Sequence, residues 1–272
     1  MLTIAHALSH FSLPRLEARV LLMHVVPGLR HADIIAYPER YLTSDQHALY
    51  CQLVKERLAG VPIAYLIGRR EFYSRLFEVT PAVLIPRPET EHLVEVALTY
   101  GFSGARVVDL GTGSGIVAVT LALEGDNWDV TAVDISGEAL RVARHNAVAL
   151  GASVRFFQGN WYQALPVGRR FDLIVSNPPY IACHDPHLQM GDVSFEPMIA
   201  LTDGVDGLSC FSVLADSALT WLERCGWLLV EHGYDQGPAV RECFVKAGLV
   251  SVQTLPDLAG HERITLGQAP PF

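Results

Sequence analysis

The sequence has 272 residues, half of them hydrophobic, and a formal net charge of −9. This length suffices for one large hydrophobic core and a smaller second module. The five cysteines are odd in number and include no Cys-x-x-Cys pair, which argues against a disulfide framework and a thiolate zinc site and favours a reducing, cytoplasmic location. No secretory leader is expected, and no segment approaches the roughly 20 apolar residues of a membrane span.

The charge is unevenly distributed along the chain. Residues 1–69 contain seven Lys and Arg side chains against five Asp and Glu, a net charge of +2, which leaves −11 for the remainder. Duplex DNA is bound through several cationic contacts to phosphate. The acidic remainder therefore predicts no stable nucleic-acid partner, although a local basic groove is compatible with this composition.

Residues 1–69 have the apolar spacing of helices. Apolar side chains recur every three or four residues between Pro14 and Val26, which predicts one helix there. Thr43, with Gln46 three residues later, is typical of a capping box at the start of a second helix that runs toward Gly60. We therefore expect a small N-terminal helical bundle over residues 1–69.

Residues 70–90 have a different character. Short β-prone runs, interrupted by Pro81, predict a hairpin-like connector that extends to Pro86. A helix is expected to follow the Pro-Arg-Pro-Glu-Thr-Glu segment that begins at Pro86. Glu89 and Glu91 in this segment either cap the helix or close over a bound ligand.

From Arg106 onward, short apolar strands alternate with helical segments. Strands are expected at residues 107–110, 130–133, 154–157, 173–175 and 228–230. Ser136 is expected to begin, and Gly151 to end, the helix after the second strand. Two final strands, 249–255 and 263–266, are joined only by a turn-rich link and predict an antiparallel edge pair. Residues 91–272 are therefore predicted to form an α/β domain with a mainly parallel sheet and helices on both faces.

A glycine-rich turn, Gly111-Thr112-Gly113-Ser114-Gly115, follows the first of these strands. Open α/β sheets bind ligands at the carboxyl ends of their strands, and glycine lets the backbone approach a ligand closely. Ile116 stands where a dinucleotide-binding fingerprint has its third glycine, which weakens the case for hydride transfer. Asp109 just before the turn either braces it or lies near the amino-acid end of a cofactor.

Three further side chains are candidates for cofactor contacts. Asp134 ends the second strand, where a carboxylate can accept both hydroxyls of a ribose, an arrangement that suits S-adenosylmethionine as well as NAD. Asn160 and Trp161 follow the third strand. Asn160 is a candidate for the adenine edge, and Trp161 offers its main chain or its ring.

The segment Asn177-Pro178-Pro179-Tyr180 follows the fourth strand. A planar nitrogen is a poor nucleophile because its lone pair is delocalised, so an enzyme that methylates one must hold both N–H hydrogens on acceptors. The Asn177 side-chain carbonyl and the Pro178 main-chain carbonyl supply two acceptors, which the successive prolines hold in extended geometry. Tyr180 offers a ring face to a flat group. A Pro-Pro pair after a strand is also a common stiff turn, but the glycine-rich turn at the same sheet edge favours the catalytic interpretation.

Here the chain resembles class I S-adenosylmethionine-dependent methyltransferases, which have a Rossmann-like sheet, and more narrowly the PrmC (HemK) family. The segments that carry the resemblance are 62–68, 84–91, 109–115, 176–181, 185–188, 191–193, 195–197 and 262–263. They extend over nearly the whole chain. Phe195-Glu196-Pro197 and the segment 84–91 are the most specific, because Asn-Pro-Pro-Tyr itself is shared with DNA adenine and RNA guanine methyltransferases.

The resemblance implies methylation of the glutamine side-chain amide in the Gly-Gly-Gln motif of peptide-chain release factors, and thereby an effect on translation termination. It implies cofactor contacts at the glycine-rich turn, Asp134, Trp161 and Asn177, and substrate contacts from Asn177 to Tyr180. The N-terminal bundle is expected to dock the protein substrate. Family members often carry Asp where this chain has Asn160, whose amide can still both donate and accept.

Two alternatives are set against this interpretation. An amino methyltransferase acting on adenine or guanine in nucleic acid uses the same acceptor logic after base flipping, but the acidic domain disfavours it. A binding module that has lost catalysis is disfavoured by the intact glycines, Asp134 and Asn177. Cys183, His184 and His187 invite a metal site, but we expect none because a fourth spaced ligand is missing.

Overall fold

The structure is a computed structural model, and it describes residues 2–271. The chain divides into two compact units, one that ends at Arg69 and one that begins at Arg70. The further division of the second unit into a connector over 70–90 and a catalytic domain over 91–272 stays a prediction.

The N-terminal unit is helical. Its helices are α1 (Ile4–His10), α2 (Arg15–Val25), α3 (His31–Ala36), α4 (Ser44–Leu58) and α5 (Ile63–Ile67). Their apolar faces enclose a core that includes Ile4, Leu21, Leu22 and Val54. The buried Tyr50 hydroxyl donates a hydrogen bond of 3.0 Å to the Ala7 carbonyl oxygen, which joins α4 to α1. The predicted helices over residues 14–26 and from Thr43 onward are confirmed.

The capping box predicted at the start of α4 is present. The Thr43 hydroxyl accepts a hydrogen bond from the Gln46 backbone N–H at 3.2 Å, and the Gln46 side chain accepts one from the Thr43 N–H at 3.0 Å. The pair therefore satisfies two backbone donors that would otherwise lack partners at this helix end.

Thr43→Ala is expected to loosen the first turn of α4, because loss of a cap costs about 1 kcal/mol. Hydrogen–deuterium exchange of the full chain should show amides 46–49 exchanging about fivefold faster. Ser44→Ala is the matched control, since Ser44 is exposed and makes no side-chain hydrogen bond in the described chain. Equal exchange in the two variants would contradict the role of the cap.

The second unit begins with a β-hairpin. Strands β1 (Arg69–Phe72) and β2 (Arg75–Glu78) pair across Tyr73 and Ser74, whose φ angles are +50° and +57°. Two such left-handed residues are typical of a type I′ hairpin turn. The Tyr73 N–H donates to the Glu91 carboxylate at 2.7 Å, so Glu91 anchors the hairpin. Residues 79–89 contain no strand, because their prolines remove backbone donors, and the β character predicted there is confined to the first half of the segment.

The remaining elements alternate as predicted. The strands are β3 (Arg106–Leu110), β4 (Asp129–Asp134), β5 (Val154–Gln158), β6 (Phe171–Ser176), β7 (Leu222–Glu231), β8 (Val250–Pro256) and β9 (Glu262–Gln268). The α-helices are α6 (Thr90–Tyr100), α7 (Ile116–Glu124), α8 (Gly137–Leu150), α9 (Met198–Leu201), α10 (Ser209–Trp221) and α11 (Gly237–Lys246). As predicted, the Ser136 hydroxyl caps α8 and Gly151 ends it in the left-handed conformation. No helix formed by residues 2–271 combines the length and the hydropathy needed to cross a bilayer.

These strands form one sheet in the order β5-β4-β3-β6-β7-β9-β8. All neighbours are parallel except β9, which runs antiparallel to both β7 and β8, so the predicted edge pair is confirmed. Alternate residues of β3 face opposite sides of the sheet. Val107 packs in the core beneath α6 and α7, whereas Val108 and Leu110 pack in the core beneath α10 and α11. Helices therefore cover both faces, as predicted.

The strand order reverses at β3. The chain runs outward from β3 through β4 to β5, and then returns to place β6 on the other side of β3. Ligands of open α/β sheets bind at the carboxyl ends of the strands where the order reverses. The glycine-rich turn after β3 and the Asn-Pro-Pro-Tyr segment after β6 lie at this point.

Candidate active site

A cavity of ≈ 270 Å³ opens at the carboxyl ends of β3, β4 and β6. The predicted site residues that line it are Gly111, Thr112, Gly113, Ser114, Asp134, Asn160, Trp161, Asn177 and Pro179. Gly115, Pro178 and Tyr180 do not line it. The fold thus brings most of the predicted cofactor residues and Asn177 to one cavity, and we call the part lined by Gly111 to Ser114, Asp134, Asn160 and Trp161 the cofactor wall.

The three glycines of the turn differ in what surrounds them. Gly111 has φ +78°, and a Cβ there would lie 3.3 Å from the Trp161 ring, which covers the turn. Gly113 has φ +56° and nothing within 4 Å of the Cβ position, so its backbone is open to a ligand. A Cβ on Gly115 would lie 3.0 Å from the Ala143 Cβ. Gly115 therefore serves the close packing of α7 against α8 rather than the cavity wall.

Asp109 lies fully buried beneath the turn. Its Oδ2 accepts hydrogen bonds from the Thr112 hydroxyl at 2.6 Å and from the Ala118 N–H at 3.2 Å. Burial raises the pKa of the Asp109 carboxyl to about 7, against the opposing effect of these two hydrogen bonds. The side chain thus braces the turn, and it also lines the cavity.

Asp134 has the lone pairs that a ribose diol requires. Oδ2 accepts from the Gly113 N–H and Oδ1 from the Ser136 N–H, both at 2.8 Å. Burial raises the pKa of this carboxyl, although the backbone hydrogen bonds favour its charged form. Since each carboxylate oxygen carries two lone pairs, one on each remains for a donor in the cavity.

If the ligand is the S-adenosylmethionine that the resemblance implies, Asp134→Ala is expected to weaken its binding about 10- to 100-fold, because hydrogen bonds to a charged group contribute roughly 1.5–3 kcal/mol. Titration calorimetry of the full chain measures the Kd directly. The matched control is Asp216→Ala, an exposed aspartate on α10. A Kd for Asp134→Ala within twofold of the wild-type value would contradict the assignment.

Asn160 and Trp161 follow β5 at the rim of the cavity. Asn160 is exposed and lines the cavity, and its side chain makes no hydrogen bond to another residue within 2–271. Trp161 has φ +48°, a strained backbone conformation for an aromatic residue, which places its ring over Gly111. An open polar amide and an aromatic wall are the surroundings that an adenosine moiety requires.

Asn177 is held in one orientation. Its Nδ2 donates to the Thr90 hydroxyl at 3.1 Å, which ties the end of β6 to the start of α6. The Ser176 hydroxyl donates to the Leu110 carbonyl oxygen at 2.6 Å and fixes the same strand end against β3. Within residues 2–271, no donor reaches Asn177 Oδ1 or the Pro178 carbonyl oxygen. Both acceptors predicted for a planar nitrogen are therefore unoccupied by the protein.

Tyr180 lies behind this segment. Its ring packs against the core beneath α10 and α11, and burial raises the pKa of its hydroxyl. Its main-chain carbonyl oxygen accepts a hydrogen bond from Gln236 Nε2 at 2.9 Å. The prediction that the ring contacts a substrate stays a prediction.

Several polar residues that shape the site had no predicted role. Asn146 on α8 bonds both backbone groups of Glu78 and donates to the Ser114 carbonyl oxygen at 2.9 Å, which ties the hairpin to the glycine-rich turn. The sequence does contain a signal for Asn146, because it is a polar residue between Ala143 and Ala147 on the apolar face of a predicted helix.

Glu196 is a second polar residue of this kind. It is buried and accepts hydrogen bonds from the Ile85 N–H at 3.1 Å and from the Arg87 guanidinium.

The loop with the metal-site candidates Cys183, His184 and His187 makes a contact of another kind. His187 lies 2.7 Å from the Asp185 carboxylate through Nδ1, and both side chains are substantially exposed. No group of three or more His, Cys, Asp or Glu side chains suited to a metal ion occurs in the part of the chain that the structure describes.

Comparison with known proteins relates this chain to a family. Residues 89–196 match the family model described as methyltransferase small domain, and residues 3–68 match the one described as PrmC N-terminal domain. A relative from Neisseria gonorrhoeae, named release factor glutamine methyltransferase, is 51% identical over 257 residues, which cover 94% of each chain. A relative of the same name from Bordetella pertussis is 50% identical and covers 94% of this chain and 95% of its own.

Solved structures share the fold at lower identity. A methyltransferase from Pyrococcus furiosus superposes with a TM-score of 0.57 at 20% identity, covering 84% of this chain and 100% of its own. The T. thermophilus 16S rRNA N2 G1207 methyltransferase, solved with AdoMet and guanosine, has a TM-score of 0.54 at 20% identity and covers 74% of this chain and 49% of its own. These likenesses support the predicted class I methyltransferase fold.

Proposed function

This chain belongs to the release factor glutamine methyltransferase family, and from that premise we propose which of its residues hold the substrate and the cofactor. The enzyme transfers a methyl group from S-adenosylmethionine to the side-chain amide nitrogen of the glutamine in the Gly-Gly-Gln motif of release factors. The names of these relatives do not favour the alternative activity, methylation of adenine or guanine in nucleic acid.

The observation that carries the catalytic assignment is the pair of unoccupied acceptors. The Asn177 amide group donates a hydrogen bond to Thr90 on the protein side, so Oδ1 is left to accept one N–H of the glutamine amide. The Pro178 carbonyl oxygen accepts the other. With both N–H bonds held, the plane of the amide is fixed, and the nitrogen lone pair, which is perpendicular to that plane, can face the methyl group of the cofactor. Positioning of this kind can contribute roughly 7–11 kcal/mol to lowering the barrier.

The residues of the cofactor wall fit S-adenosylmethionine. Asp134 has free lone pairs for the ribose hydroxyls. We assign Asn160 and Trp161 to the adenine, and the glycine-rich turn with Asn177 to the amino-acid end, where Gly115 would act by supporting the turn from α7 and not by lining the cavity. When bound, S-adenosylmethionine supplies an electrophilic methyl group. We assign no general base, because the methylated, positively charged nitrogen is strongly acidic and loses its proton to water.

Substrate contacts are assigned to Asn177, Pro178, Pro179 and Tyr180, with Asn177, Pro178 and Tyr180 taking part in catalysis. Pro179 lines the cavity, and its ring keeps the flanking carbonyl groups extended. We further propose that the N-terminal helical unit docks the release factor. We also propose that the enzyme works in the cytoplasm, without a stable nucleic-acid partner or a membrane.

The test offers S-adenosylmethionine with a labelled methyl group to the purified full chain. Parallel reactions contain a release factor, the same factor with alanine in place of the Gly-Gly-Gln glutamine, DNA, or RNA. Label is expected in the unmodified release factor alone. Label in nucleic acid but not in the release factor would overturn the proposal.

A further inference from the structure

A buried carboxyl group lies beside Asn177 without an assigned role. Glu231 is the last residue of β7, and its strand neighbour Val230 is in register with Ser176, so Glu231 and Asn177 leave adjacent strand ends together. Glu231 is 2% exposed, and its Oε2 makes no hydrogen bond to any residue in the range 2–271. A buried carboxyl group with an unsatisfied oxygen is costly and therefore requires an explanation.

The surroundings of Glu231 connect it to Asn177 through Thr90. Burial raises the pKa of the Glu231 carboxyl to about 7, while hydrogen bonding from the Thr90 hydroxyl, the charge of Arg263 and hydrogen bonding from the Asn177 amide favour its charged form. Arg263 itself is paired with Asp257 at 3.1 Å. Among residues 2–271, Glu231 makes no salt bridge, and Thr90 and Asn177 are those of its polar neighbours that line the cavity.

The direction of these hydrogen bonds selects one orientation of the Asn177 amide. The Thr90 oxygen accepts from Asn177 Nδ2 at 3.1 Å, so the single hydroxyl hydrogen of Thr90 remains to be donated. The adjacent strand end brings Glu231 to this point, and its buried Oε2 has no partner among residues 2–271 and can accept that hydrogen. When the Thr90 hydrogen is donated to the charged form of Glu231, a flipped amide would turn Oδ1 toward two acceptors, the Thr90 oxygen and the carboxylate. With the NH2 group turned inward, Oδ1 is left for the cavity.

We propose that Glu231 is a positioning residue for methyl transfer: through the Thr90 hydroxyl, it keeps Oδ1 of Asn177 turned toward the substrate amide. This role rests on the proposed function, since it requires Asn177 to hold the glutamine. Glu231 does not line the cavity and touches no reacting atom.

The test compares Glu231→Met, Thr90→Val, Thr90→Ser and the Glu231→Met/Thr90→Val double variant in the full chain. Methionine has nearly the length of glutamate but lacks its oxygen acceptors, so Glu231→Met and Thr90→Val should each lower kcat about 10- to 100-fold, the size expected from misplacing a reacting group. KM and Kd for S-adenosylmethionine should stay within about twofold. Thr90→Ser keeps the hydroxyl and should retain at least about one third of wild-type kcat. Because both single variants break one chain of contacts, the double variant should lose no more than about threefold beyond the worse single.

Thr131→Val is the matched control for Thr90→Val, since Thr131 is a fully buried threonine on β4 whose hydroxyl has no partner among the described residues. It should leave kcat unchanged. A purely structural Glu231 predicts the opposite pattern, in which folded Glu231→Met has wild-type kcat and a raised thermal midpoint, and this result would overturn the proposal. If Glu231→Met does not fold, wild-type kcat in Thr90→Val would overturn it.

The wild-type protein separates this proposal from the proposed function. A wild-type chain that fails to methylate a release factor contradicts the function itself. A wild-type chain that methylates it, with variants of unchanged kcat, contradicts only the positioning role.

Discussion

Asn177→Ala is expected to lower the rate of release factor methylation about 10²- to 10³-fold, the loss typical of removing one preorganised hydrogen-bonding group from a reaction centre. In the proposed mechanism the side chain supplies one of the two acceptors for the substrate amide, and nothing within residues 2–271 occupies its Oδ1. Without it, one N–H of the glutamine is unheld and the nitrogen lone pair loses its fixed direction. Single-turnover measurements with saturating S-adenosylmethionine isolate this step.

Asn160→Ala provides a matched comparison, because it also removes an asparagine amide from the cavity. Asn160 follows β5, which is three strands away from β6, the strand that Asn177 follows. Asn160 lines the cavity and is the proposed adenine contact, so this variant should weaken S-adenosylmethionine binding while leaving the rate at saturation within a few-fold. Asn177→Ala should show the reverse pattern, a large loss of rate with a small change in Kd. A near-normal rate in Asn177→Ala would remove the basis of the catalytic assignment.

The elements and the cofactor wall were predictable because their signals are local. The alternation of apolar residues marks the strands, Ser136 and Gly151 mark the limits of α8, and glycines directly after β3 mark the ligand-binding edge. Parallel strands place their carboxyl ends together, so the spacing of the motifs along the chain was enough to predict a shared cavity.

The polar support of the site was not predictable, since it depends on partners far apart in sequence. Asn177 and Thr90 are 87 residues apart, and Asn146 and Glu78 are 68 residues apart. In the sequence, Glu231 is a polar residue at the end of an apolar strand. Only the register of β7 against β6 brings it beside Asn177. Each contact is set by how separate elements pack, which local propensity does not encode.

The Asn-Pro-Pro-Tyr segment also depends on a distant glycine. Gly207 has φ +81°, and a Cβ there would lie 2.3 Å from the Tyr180 carbonyl oxygen and 3.0 Å from its carbonyl carbon. Both contacts are with backbone atoms, which cannot rotate away as a side chain can. Gln236 Nε2 donates to the carbonyl oxygens of both Tyr180 and Gly207, at 2.9 Å and 3.2 Å. The peptide after Tyr180 is therefore held between Gly207 and Gln236.

Gly207→Ala is expected to lower the methylation rate about 100-fold, because the methyl group displaces the Tyr180 peptide and, through it, the acceptor at Pro178. Gly204→Ala is the matched control, since Gly204 has φ +79° but nothing within 4 Å of its Cβ position. Both variants carry the cost of a left-handed alanine, about 1–2 kcal/mol, and both should lower the thermal midpoint. Only Gly207→Ala should lose the rate at saturating S-adenosylmethionine. Equal rates in the two variants would show that the Tyr180 peptide tolerates displacement and that Gly207 serves loop conformation alone.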